Sequence, residues 1–215
     1  DLVVIGAGIH GEGAAQAAAA AGYSVLVLEQ TGIASATSCR SSKLIHGGLR
    51  YLESGQFNLV RESLRERDIL LRIAPQLVQL VPFYIPVYRH TARRPWQIRA
   101  GLSLYAVLGN LRRHAWFAAL ARAQWRDLDG LAIENLQAVF RYQDAQTDDA
   151  ALTQAVMRSA QSLGAELVVP GECLAARRTA QGIAVRYRTP QGEAESHCTF
   201  FVDAAGTWIY TVLAG

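Results

Sequence analysis

The chain has 215 residues, of which 51% are hydrophobic and 18% are charged, and its formal net charge is +3. This composition excludes an intrinsically disordered tail, and the length predicts one or two domains with a sizeable core. The longest apolar runs have strand length or are interrupted by Arg and Gly, so no transmembrane helix is predicted. No secretory signal is visible, because the chain opens inside an apolar strand pattern, and we expect a fragment of a longer protein.

Cysteine and histidine spacing gives no sign of a metal site or a disulfide framework. Cys39, Cys173 and Cys198 lie far apart without a CxxC pair, and the five histidines show no metal-ligand spacing. A reducing cytoplasm is therefore the expected compartment, and no metal is predicted.

Charge is concentrated in the middle of the chain. Residues 69–126 carry nine arginines and no acidic residue, whereas residues 127–215 carry eleven acidic residues and six basic ones. A segment of charge +9 suits an anionic substrate, a phospholipid surface or nucleic acid. The alternative is that these arginines pair with the acidic final third of the chain.

The first 75 residues alternate between strand and helix patterns. The predicted elements are a strand at 3–5, a helix at 9–21 ended by Gly22, a strand at 25–28, a polar loop to 42, and a helix at 57–74 closed by Pro75. These follow from short apolar runs, apolar spacing with a helical period, and glycine or proline at the ends.

The remaining elements are less regular. We predict a strand at 83–88 that Pro86 restricts to a sheet edge, and one or two helices over 96–125 broken near 109–110. Thr147 is predicted to cap a helix that runs to Gly164. A strand at 167–169 and a meander with strands at 173–176, 183–187 and 199–202 follow.

A glycine-rich turn joins the first strand to the first helix. Gly6-Ala7-Gly8-Ile9-His10-Gly11 has the GxGxxG spacing of dinucleotide-binding turns, which place a pyrophosphate at a helix N-terminus. Glu29 ends the second strand, where an acid accepts hydrogen bonds from ribose hydroxyls. The pattern leaves NAD and FAD open.

A second motif covers residues 36–53 and includes the run SSKLIHGGLRYLE from Ser41 to Glu53. It combines hydroxyls, paired glycines, a titratable histidine, a lysine and an arginine, a set that suits an anionic ligand beside a flat cofactor. For Arg50 the alternative is an ion pair with Glu53 at helical spacing. For His46 the alternatives are a structural bond to backbone and a base or polarising group beside the cofactor.

With this run, the sequence resembles the FAD-dependent glycerol-3-phosphate dehydrogenases, within the larger family of D-amino-acid-oxidase-like flavoproteins. Supporting matches are the GAGIHGEG turn, LEQ at the second strand, ERDILLRIAP, TDDAAL and the late AAGTW. The resemblance implies an α/β fold, a Rossmann-like FAD-binding domain with a partial, mixed α+β substrate (cap) domain. Residues 1–75 and 145–215 would form the two parts of the FAD-binding domain, and 76–144 the cap portion.

The resemblance also assigns roles to individual residues. The AMP half of FAD would be held by Gly6, Gly8, Gly11 and Glu29, and the diphosphate and ribityl path would be lined by Thr37, Ser38, Ser42 and Lys43. The flavin would lie along Leu44 to Gly48, which include His46 and Gly47, and the substrate phosphate would be bound by Arg50 beside Tyr51. The adenine would be flanked by Cys173, and the diphosphate would meet the turn at Ala205 and Gly206. His46 and Arg50 are the expected catalytic residues.

Three positions depart from the family pattern. Ala151 stands where the family has Arg, and Asp203 and Thr207 stand where it has Asn and Pro. An aspartate beside the FAD diphosphate would be repelled unless its side chain points away, so the late turn is expected to differ in detail.

The function implied is oxidation of sn-glycerol 3-phosphate to dihydroxyacetone phosphate, with electrons passed to a respiratory quinone. Expected partners are a phosphorylated small molecule, a quinone, an anionic membrane surface and a second copy of the protein in a homodimer, with no nucleic acid. Expected localisation is cytoplasmic and peripheral, on the cytoplasmic face of the inner membrane. The apolar stripe from Ile98 to Leu111 favours packing over membrane contact, although Trp96, Trp116 and Trp125 near the arginines suit an interface. Alternatives are a related flavin oxidase of an amine or 2-hydroxy acid, and a catalytically inactive FAD-binding fragment.

Overall fold

The computed structural model describes residues 1–209, and of Arg113 its backbone. The chain divides into two compact units. One comprises residues 1–42 with those from 148 onward, and the other is Lys43–Thr147. In sequence, the second unit is inserted between the two segments of the first unit. Both parts of the dinucleotide-binding pattern therefore belong to one unit.

The first unit is built on a parallel sheet. Its elements are β1 (Leu2–Ile5), α1 (Ile9–Ala20), β2 (Val25–Leu28), α4 (Asp149–Ser162), β7 (Glu166–Val168), β8 (Glu172–Thr179), β9 (Gly182–Thr189), β10 (Gly192–Cys198) and β11 (Phe200–Asp203). The parallel sheet has the order β11-β1-β2-β7, and β8 to β10 form a separate antiparallel sheet. This is the Rossmann-like arrangement that the glycine turn predicts.

The central strands are apolar throughout because both faces of the sheet are covered. On one face, Val4 and Val27 pack in a cluster with Ala15 of α1 and Met157 of α4. On the other face, Val3 and Ile5 pack with Leu28 of β2, Val185 of β9 and Cys198 of β10. A strand that is buried on both sides shows a continuous hydrophobic run rather than an alternating one.

The second unit is antiparallel. Its elements are β3 (Leu44–Ile45), α2 (Phe57–Ile73), β4 (Val78–Tyr88), α3 (Pro95–Leu108), β5 (Ala118–Ala119) and β6 (Leu136–Thr147). The sheet order is β3-β6-β4, and β5 also pairs with β6. Val60 and Leu64 of α2 pack against Tyr105 of α3, while Leu102 of α3 packs against Phe140 of β6. Among the described helices of both units, none combines the length and apolar character needed to cross a membrane.

Several predicted elements are confirmed. β1, α1, β2 and α2 lie within a residue or two of their predicted bounds. β4 is an edge strand, as predicted, but it begins at Val78, five residues before the predicted start, and has an irregularity between Val87 and Tyr88. An edge position can tolerate Pro86, because proline lacks a backbone N–H and an edge strand is paired on one side only.

Other predictions are wrong. Residues 109–125 are not a second long helix, because Asn110 and Leu111 adopt left-handed backbone and end α3, and two short 3-10 turns and β5 follow. The strand at 200–203 joins the parallel sheet beside β1 rather than the meander. Asp148, not Thr147, caps α4, since its carboxylate accepts the Ala151 N–H at 3.0 Å.

The domain boundaries also differ from those drawn on the sequence. Residues 43–75, assigned to the FAD-binding part, belong to the second unit. The reason is local pairing: Leu44 and Ile45 pair with β6, and α2 packs its apolar face with α3. The second boundary lies at 147–148, three residues after the predicted one.

Candidate functional site

The glycine turn of the first unit is a tight connection that excludes side chains. Gly6 has φ +96°, and a Cβ there would lie 2.7 Å from the carbonyl oxygen of Ala204. A Cβ on Gly11 would overlap the carbonyl oxygen of Gly6. Both positions therefore require glycine, and they let the first turn of α1 approach β1 and β11 closely.

The N-terminus of α1 faces a hydroxyl. Gly8 is the N-cap, and the Ile9 N–H donates to Ser38 Oγ at 3.0 Å. The first amides of a helix carry partial positive charge and lack intrahelical acceptors, so this end of α1 suits an anionic group.

Glu29 ties the end of β2 to the same turn. Its Oε2 accepts the Ala7 N–H at 2.8 Å, and its Oε1 accepts the N–H and hydroxyl of Thr31, each at 2.8 Å, and the Gly32 N–H at 3.2 Å. Burial alone would raise the pKa of Glu29, but these hydrogen bonds outweigh it and hold the pKa below its ordinary value. Glu29 is therefore ionised at neutral pH, and Oε2 keeps a lone pair for another donor.

These elements open onto one cavity of about 740 Å³ in the first unit. A cavity of this size is in the range of cofactor sites. The predicted cofactor residues that line it are Gly6, Gly8, Glu29, Thr37, Ser38, Cys173, Ala205 and Gly206. Gly11 supports the turn from behind, and Ser42 is an exposed residue of the loop, outside the lining.

The cavity also has lining residues that sequence reasoning missed. Arg40 brings a guanidinium to its wall, and Trp208 an aromatic ring. A single arginine in a polar loop belongs to no recognisable motif. Arg40 could have been predicted only from its position two residues after Ser38, a predicted cofactor-binding residue. A guanidinium is well suited to bind phosphate oxygens.

Asp203, in the late turn, has one buried carboxylate oxygen, Oδ2, without a hydrogen-bond partner among the described residues. Its Oδ1 accepts the Ala205 N–H at 3.0 Å, so the carboxylate folds back onto its own turn. Asp203 does not line the cavity, while Thr207 does. Ala204 to Gly206 thus line the cavity, and the Asp203 side chain is not part of that lining.

The His46-Gly47-Gly48 turn belongs to the second unit. Lys43 enters it with φ +59° and β3 follows, carrying Leu44. Gly48 has φ +69°, and the ring of Tyr51 packs directly on its Cα, where a Cβ would collide. The turn therefore depends on glycine at this position.

The orientation of His46 is fixed by its own turn. The Gly48 N–H donates to His46 Nδ1 at 2.9 Å, while the ring itself is exposed. Since Nδ1 acts as acceptor, the neutral ring carries its proton on Nε2. His46 therefore presents an N–H donor to whatever contacts its free edge.

Arg50 is exposed in the short 3-10 helix Leu49–Leu52. The expected alternative partner, Glu53, is instead bound by Arg93 at 2.8 Å. Within the described part of the chain, no carboxylate pairs with Arg50. Its guanidinium is thus left for solvent or a ligand, and the alternative of an Arg50–Glu53 ion pair is wrong.

Comparison with known proteins adds the family. The chain matches the FAD dependent oxidoreductase family over residues 1–215. It is 40% identical over 210 residues to a glycerol-3-phosphate dehydrogenase of Pseudomonas aeruginosa, covering 97% of this chain and 40% of that protein. It is 38% identical over 216 residues to a D-erythritol 1-phosphate dehydrogenase of Brucella abortus, covering 99% of this chain and 42% of that protein.

A solved structure has the same fold. The glycerol-3-phosphate dehydrogenase of Bacillus halodurans complexed with FAD superposes with a TM-score of 0.69 at 24% identity, over 98% of this chain and 35% of that one. The chain spans about two fifths of the length of the curated relatives it matches. With a family match over its full length and a Rossmann-like unit whose glycine turn, helix terminus and cavity suit a dinucleotide, the chain belongs to the D-amino-acid-oxidase-type family of FAD-dependent oxidoreductases.

Proposed function

We propose that this chain is the amino-terminal part of a longer protein and that it binds FAD in the cavity of the first unit. Gly6 and Gly8 allow the backbone to approach the diphosphate, and Arg40 and the α1 N-terminus supply positive charge for it. Glu29 keeps an acceptor for a ribose hydroxyl. Ser42 and Lys43 would continue toward the ribityl chain, as the resemblance implies.

We further propose that the complete protein oxidises sn-glycerol 3-phosphate at C2 to dihydroxyacetone phosphate. FAD, when bound, accepts the hydride that leaves C2. The observation that carries this proposal is the His46–Arg50 turn: an N–H donor held in orientation, and a cation that no described carboxylate pairs with, lie four residues apart on one short segment. Arg50 would bind the phosphate, with Tyr51 beside it.

His46 would act on the C2 oxygen as a hydrogen-bond donor through Nε2. Acting as a base at Nε2 would require the other tautomer, in which Nδ1 carries the proton and the bond from the Gly48 N–H is lost. The geometry therefore favours the polarising and orienting role over the base. The proton of the C2 hydroxyl would then leave to water or to a residue outside this chain.

A second substrate is favoured by one specific observation. The Brucella abortus relative is named for D-erythritol 1-phosphate, and its similarity to this chain is close to that of the glycerol-3-phosphate dehydrogenases. Both substrates are polyol phosphates, so Arg50 would serve either. An amine or 2-hydroxy acid substrate lacks the phosphate that Arg50 is proposed to hold, and an inactive FAD-binding module would oxidise none of these.

The test compares substrates in the complete protein and in its Arg50→Ala variant. A charged hydrogen bond to phosphate contributes about 1.5–3 kcal/mol, so kcat/KM for glycerol 3-phosphate should fall roughly 10- to 150-fold. The loss for unphosphorylated glycerol should be much smaller. Arg65→Ala, at another exposed arginine, is the matched control. Equal losses for both substrates, or faster turnover of an amino acid in the wild type, would overturn the proposal.

We also propose that the protein docks on an anionic membrane and passes electrons to a quinone there. Trp96, Leu104 and Val107 lie along one exposed face of α3, and Leu111 and Trp116 are exposed just beyond it. Two arginines of the basic segment pair with Glu53 and Asp68, both outside the acidic final third. Tryptophan, aliphatic side chains and arginines that have no acidic partner among the described residues are together typical of a membrane-surface contact. The quinone rests on the family resemblance.

A further inference from the structure

A buried group of polar side chains reaches the His46–Arg50 turn from behind. The Gly47 N–H donates to Tyr105 Oη at 2.8 Å, and the Tyr105 hydroxyl donates to Asp144 Oδ2 at 2.8 Å. Arg67 Nη1 donates to Asp144 Oδ1 at 2.9 Å. The three side chains, which we call the Gly47 anchor, are at most 2% exposed and come from α3, β6 and α2.

The anchor has a fixed direction. The Gly47 N–H can only donate, so the Tyr105 oxygen accepts it and the single proton of the Tyr105 hydroxyl points to Asp144. The reverse direction would leave the Gly47 N–H without an acceptor. Burial would lower the pKa of Arg67, but its bond to and attraction by Asp144 outweigh this and raise it, so the charge that holds the arrangement persists at all working pH values.

Stability alone is a poor explanation for the anchor. A buried arginine–aspartate pair is expensive to desolvate, and apolar residues of similar volume often serve a core as well or better. Arg67 is nonetheless fully buried, and besides Asp144 it pairs with the buried Asp68 at 3.3 Å. What the polar arrangement adds is a hydrogen-bond acceptor at one defined point beneath the turn.

That point controls the turn closely. A Cβ on Gly47 would lie 2.5 Å from both Leu64 Cδ2 and Tyr105 Oη, so the Gly47 backbone sits directly on the anchor. The next amide, that of Gly48, holds His46 Nδ1. A shift of Gly47 would therefore move the His46 ring and the 3-10 helix that carries Arg50.

We propose that Tyr105, Asp144 and Arg67 are positioning residues that hold the His46–Gly48 turn in place for substrate oxidation. The catalytic consequence rests on the proposed function, whereas the restraint on the turn does not. Removing the Tyr105 hydroxyl should release the Gly47 amide and loosen the turn without touching the FAD cavity residues.

The test uses the complete protein with FAD bound, its Tyr105→Phe variant, and Tyr142→Phe as matched control. Tyr142 packs edge-on against Tyr105 at 6.2 Å and is not a member of the anchor. Amide hydrogen exchange of the segment 44–52 should become faster in Tyr105→Phe and stay unchanged in the control. At equal bound FAD, kcat/KM for glycerol 3-phosphate should fall about 10- to 100-fold in Tyr105→Phe, because small displacements of positioning groups have effects of this size.

The outcomes separate the two claims. Unchanged exchange at 44–52, or kcat/KM within twofold of wild type at equal FAD content, would overturn the positioning role and leave a merely structural tyrosine. Should the wild type not oxidise glycerol 3-phosphate, the proposed function fails, and hydrogen exchange still decides whether the anchor restrains the turn. Should Tyr105→Phe fail to fold, exchange in the wild type decides: a Gly47 amide that exchanges as fast as that of an exposed loop would refute the anchor.

Discussion

Glu12 should make the stability of the first unit depend on pH. It lies in the first turn of α1 with 0% of its surface exposed, and neither carboxyl oxygen has a hydrogen-bond partner among the described residues. Burial first, and then the negative charge of Glu29, raise its pKa from 4.5 to about 8. At pH 7 Glu12 is therefore a neutral acid inside the fold.

The sign and size of the effect follow from that pKa. Between pH 4.5 and about 8 the folded protein keeps a proton that the unfolded chain releases, so stability is full below pH 4.5 and is lost as pH rises through about 8. Each pKa unit corresponds to about 1.4 kcal/mol, which gives a loss of about 3–5 kcal/mol across this range. Glu12→Gln keeps the shape and removes the titration, so its stability relative to wild type should increase with pH.

The assay is thermal unfolding of the complete protein at pH 5, 7 and 9 at constant ionic strength. The Glu12→Gln variant should gain several degrees in Tm over wild type between pH 5 and pH 9. Glu166→Gln, at an exposed position of β7, should show a constant difference from wild type. A Glu12→Gln difference that is the same at all three pH values would refute the reasoning.

The other predictions concern cofactor, substrate and membrane. Gly11→Ala should reduce bound FAD about tenfold or more, because its Cβ would overlap the Gly6 carbonyl and overpacking costs about 1–3 kcal/mol. Gly13→Ala, with open space around its Cβ, should retain FAD, and equal FAD content in both variants would contradict this. The kcat of His46→Gln should stay higher than that of His46→Ala, because the glutamine amide can still donate a hydrogen bond to the C2 oxygen. Equal losses of kcat in the two variants would favour the base role for His46 instead. Co-sedimentation with anionic vesicles should weaken at high salt, because salt screens a contribution of about 1 kcal/mol from each arginine near the surface. It should also weaken when Val107 and Leu111 are replaced by Ser, and binding insensitive to salt and lipid charge would contradict the proposal.

The sequence predicts the first unit well because its signals are local. The apolar runs of β1 and β2, the glycines between them and Glu29 lie within 30 residues, and each has one physical reading in a parallel sheet. The twelve-residue β6 escaped prediction because its burial does not alternate strictly, since the consecutive residues Val139 and Phe140 are both buried.

The second unit is harder to predict because distant residues decide its contacts. Glu53 pairs with Arg93 rather than with Arg50 three residues away, and Gly47 binds Tyr105, 58 residues later in sequence. After α3, the chain turns where Asn110 and Leu111 take left-handed backbone, which leucine rarely does. The Trp116 indole N–H stabilises that turn by donating to the Leu111 carbonyl. The spacing of apolar residues does not predict this hydrogen bond.

Anaerobic titration of the complete protein with sn-glycerol 3-phosphate tests the central claim most directly. The protein should release FAD on denaturation, and its bound flavin absorbance should bleach with glycerol 3-phosphate, to a lesser degree or more slowly with D-erythritol 1-phosphate, and not with glycerol or amino acids. Release of NAD in place of FAD, or bleaching by an amino acid but not by either polyol phosphate, would contradict the account.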